Sequence, residues 1–221
     1  MLRVRDAMTR EVVTVEPETG AARAWGLCRE KNIRHLPVVE GGRLVGLVSD
    51  RDLRDISPPR GTGDQENTLG WVRVRDIMST DLVTVHPLDT IEHAARDIHA
   101  HRFNCLPVVT DGELVGIITS SDMTRILIEL IGAQGSGSWI EVEVPNEPGM
   151  LAEVTDVIRD CHVNIAGVFL GPASRAAYRA IVLRLETTDP SAIAESLTAA
   201  GYVVTSTEST SPSGGRYLER R

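Results

Sequence analysis

Two stretches of the chain run through the same alternation of apolar and polar positions, with a constant spacing of 70 residues between them. "RVRDAMTREVVTVEP" begins at Arg3 and "RVRDIMSTDLVTVHP" at Arg73, while "HLPVVEGGRLVGLVSDRDL" begins at His35 and "CLPVVTDGELVGIITSSDM" at Cys105. The register holds without a gap from Arg3 and Arg73 to Asp52 and Asp122, so the chain contains an internal repeat. In each copy a β-branched run, "VVTV" or "LVTV", closes on Pro17 or Pro87 and predicts a strand. A helical stretch follows. In the second copy Ile91, Ala94, Ala95 and Ile98 form its apolar stripe, with Asp89 or Thr90 as N-cap. "LPVV" and "LVGLVS" (or "LVGIIT") then predict two strands joined by Gly41-Gly42 or Asp111-Gly112. A second helix begins at Asp50 or Ser120. The order is β-α-β-β-α, and a unit of about 50 residues buries too little surface alone, so the two copies are expected to pack on each other.

The pattern changes after "GAQGSGS" (132–138), whose composition predicts a flexible linker. "WIEVEV" alternates as a strand. "NEPGMLAEVTDVIRDC" turns at Pro148-Gly149 into a helix with Leu151, Val154, Val157 and Ile158 on one face. "VNIAGVFLG" and "AAYRAIVLRLET" are strand-like. "DPSAIAESLTAAG" predicts a helix with Asp189 as N-cap, Pro190 at the first helical position and Gly201 as C-cap, before the strand "YVVTST". The order β-α-β-β-α-β is a ferredoxin-like plan. The expected organisation is α+β: repeat one at 1–56, a loop at 57–70, repeat two at 71–131, the linker at 132–138, a third unit at 139–208 and a disordered tail at 209–221.

Composition narrows the partners. Of the 221 residues 42% are hydrophobic but only 4% aromatic, which predicts aliphatic cores. A formal net charge of -8 and the lack of a basic run argue against nucleic acid. The three cysteines, Cys28, Cys105 and Cys161, show no C-x-x-C spacing, so neither a disulfide framework nor a zinc site is expected, and a reducing cytoplasm fits. The first residues, "MLRVRDAMTR", lack the apolar core of a signal peptide. No apolar run approaches the roughly 20 residues of a membrane span.

Candidate chemistry concentrates at the repeated endings. Ser49 with Asp52, and Thr119 with Asp122, put a hydroxyl and a carboxylate three residues apart at a strand-to-helix junction. Such a pair caps a helix; it also suits vicinal hydroxyls of a sugar. His93, Asp97 and His101 share one helix face at a spacing that can hold a metal, but nothing else converges on them, and a solvated face with no metal is expected. Cys105 reads as a buried thiol, and no catalytic motif is present.

The β-α-β-β-α unit, "LPVV" and the G-h-h-[ST]-x-x-D ending resemble a CBS domain, in tandem a Bateman module. That resemblance implies a pseudo-two-fold module with two clefts for an adenine nucleotide (AMP, ADP or ATP) or S-adenosylmethionine as regulatory ligand. Ser49, Asp52, Thr119 and Asp122 would take the ribose, and adenine would lie near Val13, Val15, Val83 and Val85. Arg34, His35 and Arg51 have Asn104, Cys105 and Ser121 as counterparts. The resemblance therefore implies that the cleft with Ser49 and Asp52 takes a phosphate tail. The other would take a less charged adenosyl compound, bind weakly or stay empty. Arg3, Arg5, Arg73 and Arg75 are expected to be solvated or paired with carboxylates. The third unit, with "NEPGML" and "VNI", resembles an ACT domain. That implies pairing and a small regulatory ligand, often an amino acid, at Asn146, Gly149, Met150, Leu151 and Asn164. The whole order resembles acetoin-utilisation proteins of AcuB type. It implies a non-catalytic cytoplasmic sensor, a homodimer, acting on a regulated enzyme partner. A structural dimerisation module with empty clefts, or an accessory protein of acetoin catabolism, is the alternative.

Overall fold

Two consecutive residues of positive φ close each repeated hairpin: Gly41 and Gly42 (+56° and +84°), and Asp111 and Gly112 (+54° and +87°). They fold β1 (His35–Glu40) onto β2 (Arg43–Ser49), and β3 (Cys105–Thr110) onto β4 (Glu113–Thr119). The computed structural model describes residues 2–56, 71–132 and 135–210. Leu36 faces Val48 as Leu106 faces Ile118, and a bulge falls at Val38/Val39 and again at Val108/Val109. The hairpins meet at Arg43 and Glu113, giving one sheet of order β1-β2-β4-β3.

Around this sheet lie α1 (Val4–Ala7), α2 (Ala21–Glu30), α3 (Asp50–Asp55), a 3₁₀ turn at Val74–Asp76, α4 (Ile91–His101) and α5 (Ser120–Leu130). Thr90 is the α4 cap, its Oγ accepting from the His93 N–H at 3.2 Å. Ala24, Cys28, Leu36, Val38, Val48 and Leu53 form the buried core of the first repeat. The expected strands "VVTV" and "LVTV" shrink to single parallel bridges, Val15 to Val38 and Val85 to Val108. Pro37 and Pro107 have no N–H to offer there, so Val15 and Val85 each donate to a proline carbonyl at 3.1 Å.

The leading segment of each repeat crosses to the other. Val4 N–H donates to the Asp89 carbonyl and Arg5 N–H to that of Pro87; Val74 and Arg75 donate to Thr19 and Pro17 in the same way. Val74 is accordingly buried in the core of the first repeat. Gly46 and Gly116 make room for the crossing segments: a Cβ on Gly46 would lie 2.5 Å from Met78 Sδ, and one on Gly116 2.6 Å from Met8 Sδ. Arg3 and Arg73 use their guanidinium groups on the carbonyls of Leu88 and Glu18, and Arg75 pairs with the Glu18 carboxylate.

The second compact unit begins within α5, at Arg125. It carries β5 (Gly137–Pro145), α6 (Met150–Asp160), β6 (Ile165–Pro172), β7 (Tyr178–Leu185), α7 (Ser191–Ala199) and β8 (Val203–Thr210). All pairings are antiparallel, in the order β6-β7-β5-β8. Ile140, Val142, Val144, Ile181, Leu183 and Leu185 pack against Val154, Ile158, Ile193 and Leu197 of the two helices. Leu151, expected on that apolar face, is 39% exposed. Helix α7 starts one residue later than expected: Pro190 is its N-cap residue, and Asp189 Oδ1 accepts from the Ser191 N–H at 3.0 Å.

Two boundaries shift. Gly137 and Ser138, read as linker, open β5, and Ser209 and Thr210, read as tail, close β8. Glycine at 137 is a packing requirement, since a Cβ there would lie 2.5 Å from the Leu185 carbonyl. The carbonyls of Gly132 and Gly135 accept from the buried Arg184 guanidinium at 3.5 and 2.8 Å, so these two glycines are tied to the sheet. The loop expected at 57–70 and the tail at 211–221 lie outside the described residues.

Candidate functional site

At the end of β2 the chain is extended at Ser49 (φ −106°, ψ 162°) and turns into α3. Ser49 donates to Asp52 Oδ2 through its N–H at 2.8 Å and through Oγ at 2.7 Å, and the Asp52 N–H returns to Ser49 Oγ at 3.3 Å. Thr119 and Asp122 repeat the arrangement at 2.9, 2.7 and 3.3 Å at the start of α5. Each pair is thus a reciprocal cap, made through Oδ2 in both repeats.

A cleft of about 430 Å³ opens beside the second pair. Thr119, Ser120, Ser121, Asp122, Asn104 and Ile117 line it from the second repeat; Thr9, Glu11, Val12, Val13, Asn32, Ile33, Arg34 and His35 line it from the first. The crossing segment creates this juxtaposition. Thr9 exchanges both backbone hydrogen bonds with Ile117, at 2.9 Å each, and carries Glu11 to Val13 along. The lining combines apolar Val13, Ile33 and Ile117 with polar Thr119, Asp122, Arg34 and His35. The volume falls in the range of small-molecule sites. Burial pushes the His35 pKa down, against the opposing field of Asp50, so its imidazole is neutral at pH 7.

The cysteines take no part. Burial raises the Cys105 thiol to about 12, and burial with the nearby Asp50 raises Cys28 to about 11. His93 bonds to Asp97 at 3.2 Å, while His101 stacks on Phe103 with centroids 5.3 Å apart. Among the described residues no group of three metal-binding side chains forms. Nor is any described helix long and apolar enough to cross a membrane.

In the second unit Gly149 has φ +100° at the N-terminus of α6. Next to it Asn146 Oδ1 accepts from Arg179 Nε at 3.2 Å. Met150 packs partly against the core and Leu151 faces outward. Asn164 lies past the other end of α6, where its Nδ2 donates to Glu186 at 3.0 Å and it lines a groove of about 420 Å³ with Thr155, Arg159 and His162. An 11-residue helix separates the two sets, so one copy of the unit does not bring them together.

The CBS domain signature matches residues 4–58 and 74–129, half of the chain, and the ACT domain signature matches 138–214. The chain belongs to the CBS domain family. Its CBS pair is followed by an ACT domain, the AcuB-type architecture. It is similar, at 34% identity and a TM-score of 0.51, to the crystal structure of a protein assigned to acetoin utilization (AcuB) from Vibrio cholerae, covering 59% of this chain and 93% of that one. A CBS domain-containing protein of Bacillus subtilis, YhcV, is 34% identical over 56% of this chain and 84% of its own length. CBSX2, solved in complex with AMP, is 32% identical over 58% of this chain and 97% of its own, with a TM-score of 0.50. The CBS pair of MJ0100, solved with 5′-methylthioadenosine and S-adenosyl-L-methionine, is 25% identical over 57% of this chain and 96% of its own, also at 0.50. Enzymes carry similar pairs: inosine-5′-monophosphate dehydrogenase of Korarchaeum cryptofilum is 37% identical over 55% of this chain, which spans only 23% of that enzyme.

Within the CBS pair the geometry regroups the expected residues. Arg34 and His35 line the cleft of Thr119 and Asp122, which corrects their assignment to the phosphate end of the Ser49–Asp52 cleft; the crossing of the leading segments is the reason. Val13 faces this cleft. Val15 and Val85 are instead buried in the repeat cores, at 6% and 3% exposure, because the bridges to Val38 and Val108 turn them inward. Val83 is half-buried, and Arg51, 82% exposed, lies 3.9 Å from Asp55. Sequence reasoning missed Thr9, Glu11, Ile33 and Asn104 as wall residues. Ile33, directly before Arg34 and His35, carried the clearest signal: an apolar side chain at the mouth of a strand.

Proposed function

We propose that the CBS pair senses an adenine nucleotide or adenosyl compound, and that Thr119, Asp122, Arg34 and His35 bind it. The carrying observation is that the hydroxyl–carboxylate pair of one repeat and Arg34 and His35 of the other line one cleft, together with the apolar Val13, Ile33 and Ile117. Adenine lies against Val13, Ile33 and Ile117. The Asp122 carboxylate accepts from the ribose hydroxyls, with Thr119 beside it, and Arg34 meets the 5′ substituent. Ser49, Asp52, Val83 and Arg51 form the counterpart site by repeat symmetry. Occupancy favours one packing of the two repeats, and the shift in population is passed on to an oligomer or a partner enzyme in the cytoplasm. The chain is a regulator without catalysis of its own. Its ACT domain pairs with a second copy, and Asn146, Gly149, Met150 and Leu151 of one copy meet Asn164 of the other around a small metabolite such as an amino acid.

The relatives solved with AMP and with S-adenosyl-L-methionine support the ligand class. Thermal-shift and calorimetric titrations with AMP, ATP and S-adenosylmethionine test it. At least one is expected to raise the melting temperature, and Asp122→Ala is expected to weaken its binding by about tenfold or more, the loss of one charged hydrogen-bond acceptor. A chain that binds none of the three is the structural dimerisation module with empty clefts.

A further inference from the structure

We infer that the Thr119–Asp122 cleft selects an adenosyl compound with a cationic or zwitterionic 5′ substituent over a nucleoside polyphosphate, and that Glu11 is the selecting residue. The inference rests on the ligand class just proposed and narrows it. The lining holds one guanidinium, Arg34, and besides the capping Asp122 a second carboxylate, Glu11. His35 adds no charge at pH 7, because its burial holds it neutral. Among the described residues neither Glu11 nor Arg34 is engaged by a partner side chain, so both charges are available to a ligand.

Glu11 is held in place by its backbone. The double hydrogen bond between Thr9 and Ile117 anchors one side, and the Val12 N–H donates to the Arg10 carbonyl at 3.0 Å, making Glu11 the middle of a tight turn. The repeat keeps the feature: Asp81 stands seventy residues on from Glu11. The Ser120 N–H already donates to the Asn104 carbonyl at 2.9 Å, and the Asp122 N–H is used in the cap. A triphosphate would bring several negative charges to a site where the Glu11 carboxylate stands against one arginine. A methionyl tail offers a sulfonium and an ammonium to Glu11 and a carboxylate to Arg34.

The test is calorimetry on the full chain and on Glu11→Gln with S-adenosylmethionine, 5′-methylthioadenosine, AMP and ATP. Glu11 is exposed at a turn, so Gln is expected to leave the melting temperature unchanged. Wild type is expected to bind S-adenosylmethionine at least about tenfold tighter than ATP. In Glu11→Gln, S-adenosylmethionine weakens by about tenfold while AMP and ATP strengthen. ATP binding as tightly as S-adenosylmethionine, or a ratio unmoved by Glu11→Gln, overturns the inference. If AMP or ATP wins and that binding is lost in Asp122→Ala, only the charge selection fails. If none of the four binds, the ligand class fails with it.

Discussion

Thr9 and Ile117 exchange both of their backbone hydrogen bonds, at 2.9 Å each, although they belong to different repeats. Ser79 and Leu47 do the same at 2.9 and 3.0 Å, so each repeat is completed by the other's leading segment. The segment that crosses delivers Glu11 and Val13 to the strand end that carries Thr119 and Asp122.

If the crossing depends on the missing side chain at Gly116, filling that space breaks it. A Cβ on Gly116 meets Met8 Sδ at 2.6 Å and the Thr9 carbonyl at 3.0 Å, whereas one on Gly46 meets only Met78 atoms. Gly46→Ala is therefore expected to cost about 1–2 kcal/mol and to be largely rescued by Met78→Ala. Gly116→Ala is expected to cost at least as much and to resist rescue by Met8→Ala, because backbone cannot move aside. Urea unfolding of the single and double variants measures this.

The two capping carboxylates serve stability alike and the cleft unequally. Asp52→Ala and Asp122→Ala each remove a reciprocal cap and should each lose about 1 kcal/mol in denaturant titrations. Only Asp122→Ala should weaken adenosyl binding in the cleft of Arg34, by about tenfold or more; Asp52→Ala should leave that affinity within about twofold. Calorimetry on both variants makes the comparison.

Arg184 is 2% exposed and donates to the carbonyls of Gly132 and Gly135. Arg184→Ala removes two charge-assisted hydrogen bonds to carbonyls that solvent can partly reach, and a loss of about 1–3 kcal/mol is expected. Hydrogen exchange should then accelerate at Gly137 and Ser138 at the start of β5, while exchange in β1 to β4 stays as in wild type.

The depressed pKa of His35 makes stability depend on pH near neutrality. Its folded pKa lies below the ordinary 6.5, so just below that pH the unfolded chain binds more protons. Stability therefore rises with pH up to about 6.5, and His35→Gln should flatten that part of the profile. The cysteines act in the opposite direction. Their thiols, ordinarily near 9.0, sit at about 11 (Cys28) and about 12 (Cys105) when folded, so the folded chain keeps protons that the unfolded chain loses. Stability should fall above pH 9.0 until those values are passed. Iodoacetamide at pH 8 should modify the half-buried Cys161 well before the two buried thiols.

Much of this was legible in the residues. The constant spacing from Arg3 and Arg73 onward fixed the repeat, the paired glycine-type turns fixed the hairpins, and Ser49, Thr119 and Thr90 marked helix starts that the structure confirms. Periodicity reports which residues share a face within one repeat; it carries no information on which repeat a leading segment joins. Sequence position alone therefore groups Arg34 and His35 with Ser49 and Asp52 and gives no sign of Glu11. A β-branched run reads as a full strand and puts Val15 in a cleft, yet Pro37 allows it only a bridge. Glycine and serine at 132–138 signalled freedom, but Gly137 is there to let Leu185 and Arg184 approach.

The most direct test of the account is the structure of the chain bound to an adenosyl compound. The predicted result places the ribose hydroxyls on the Asp122 carboxylate, the base against Val13, Ile33 and Ile117, and the 5′ substituent at Arg34. A ligand seated away from Asp122, with the Thr119–Asp122 cap and its cleft untouched, would contradict it.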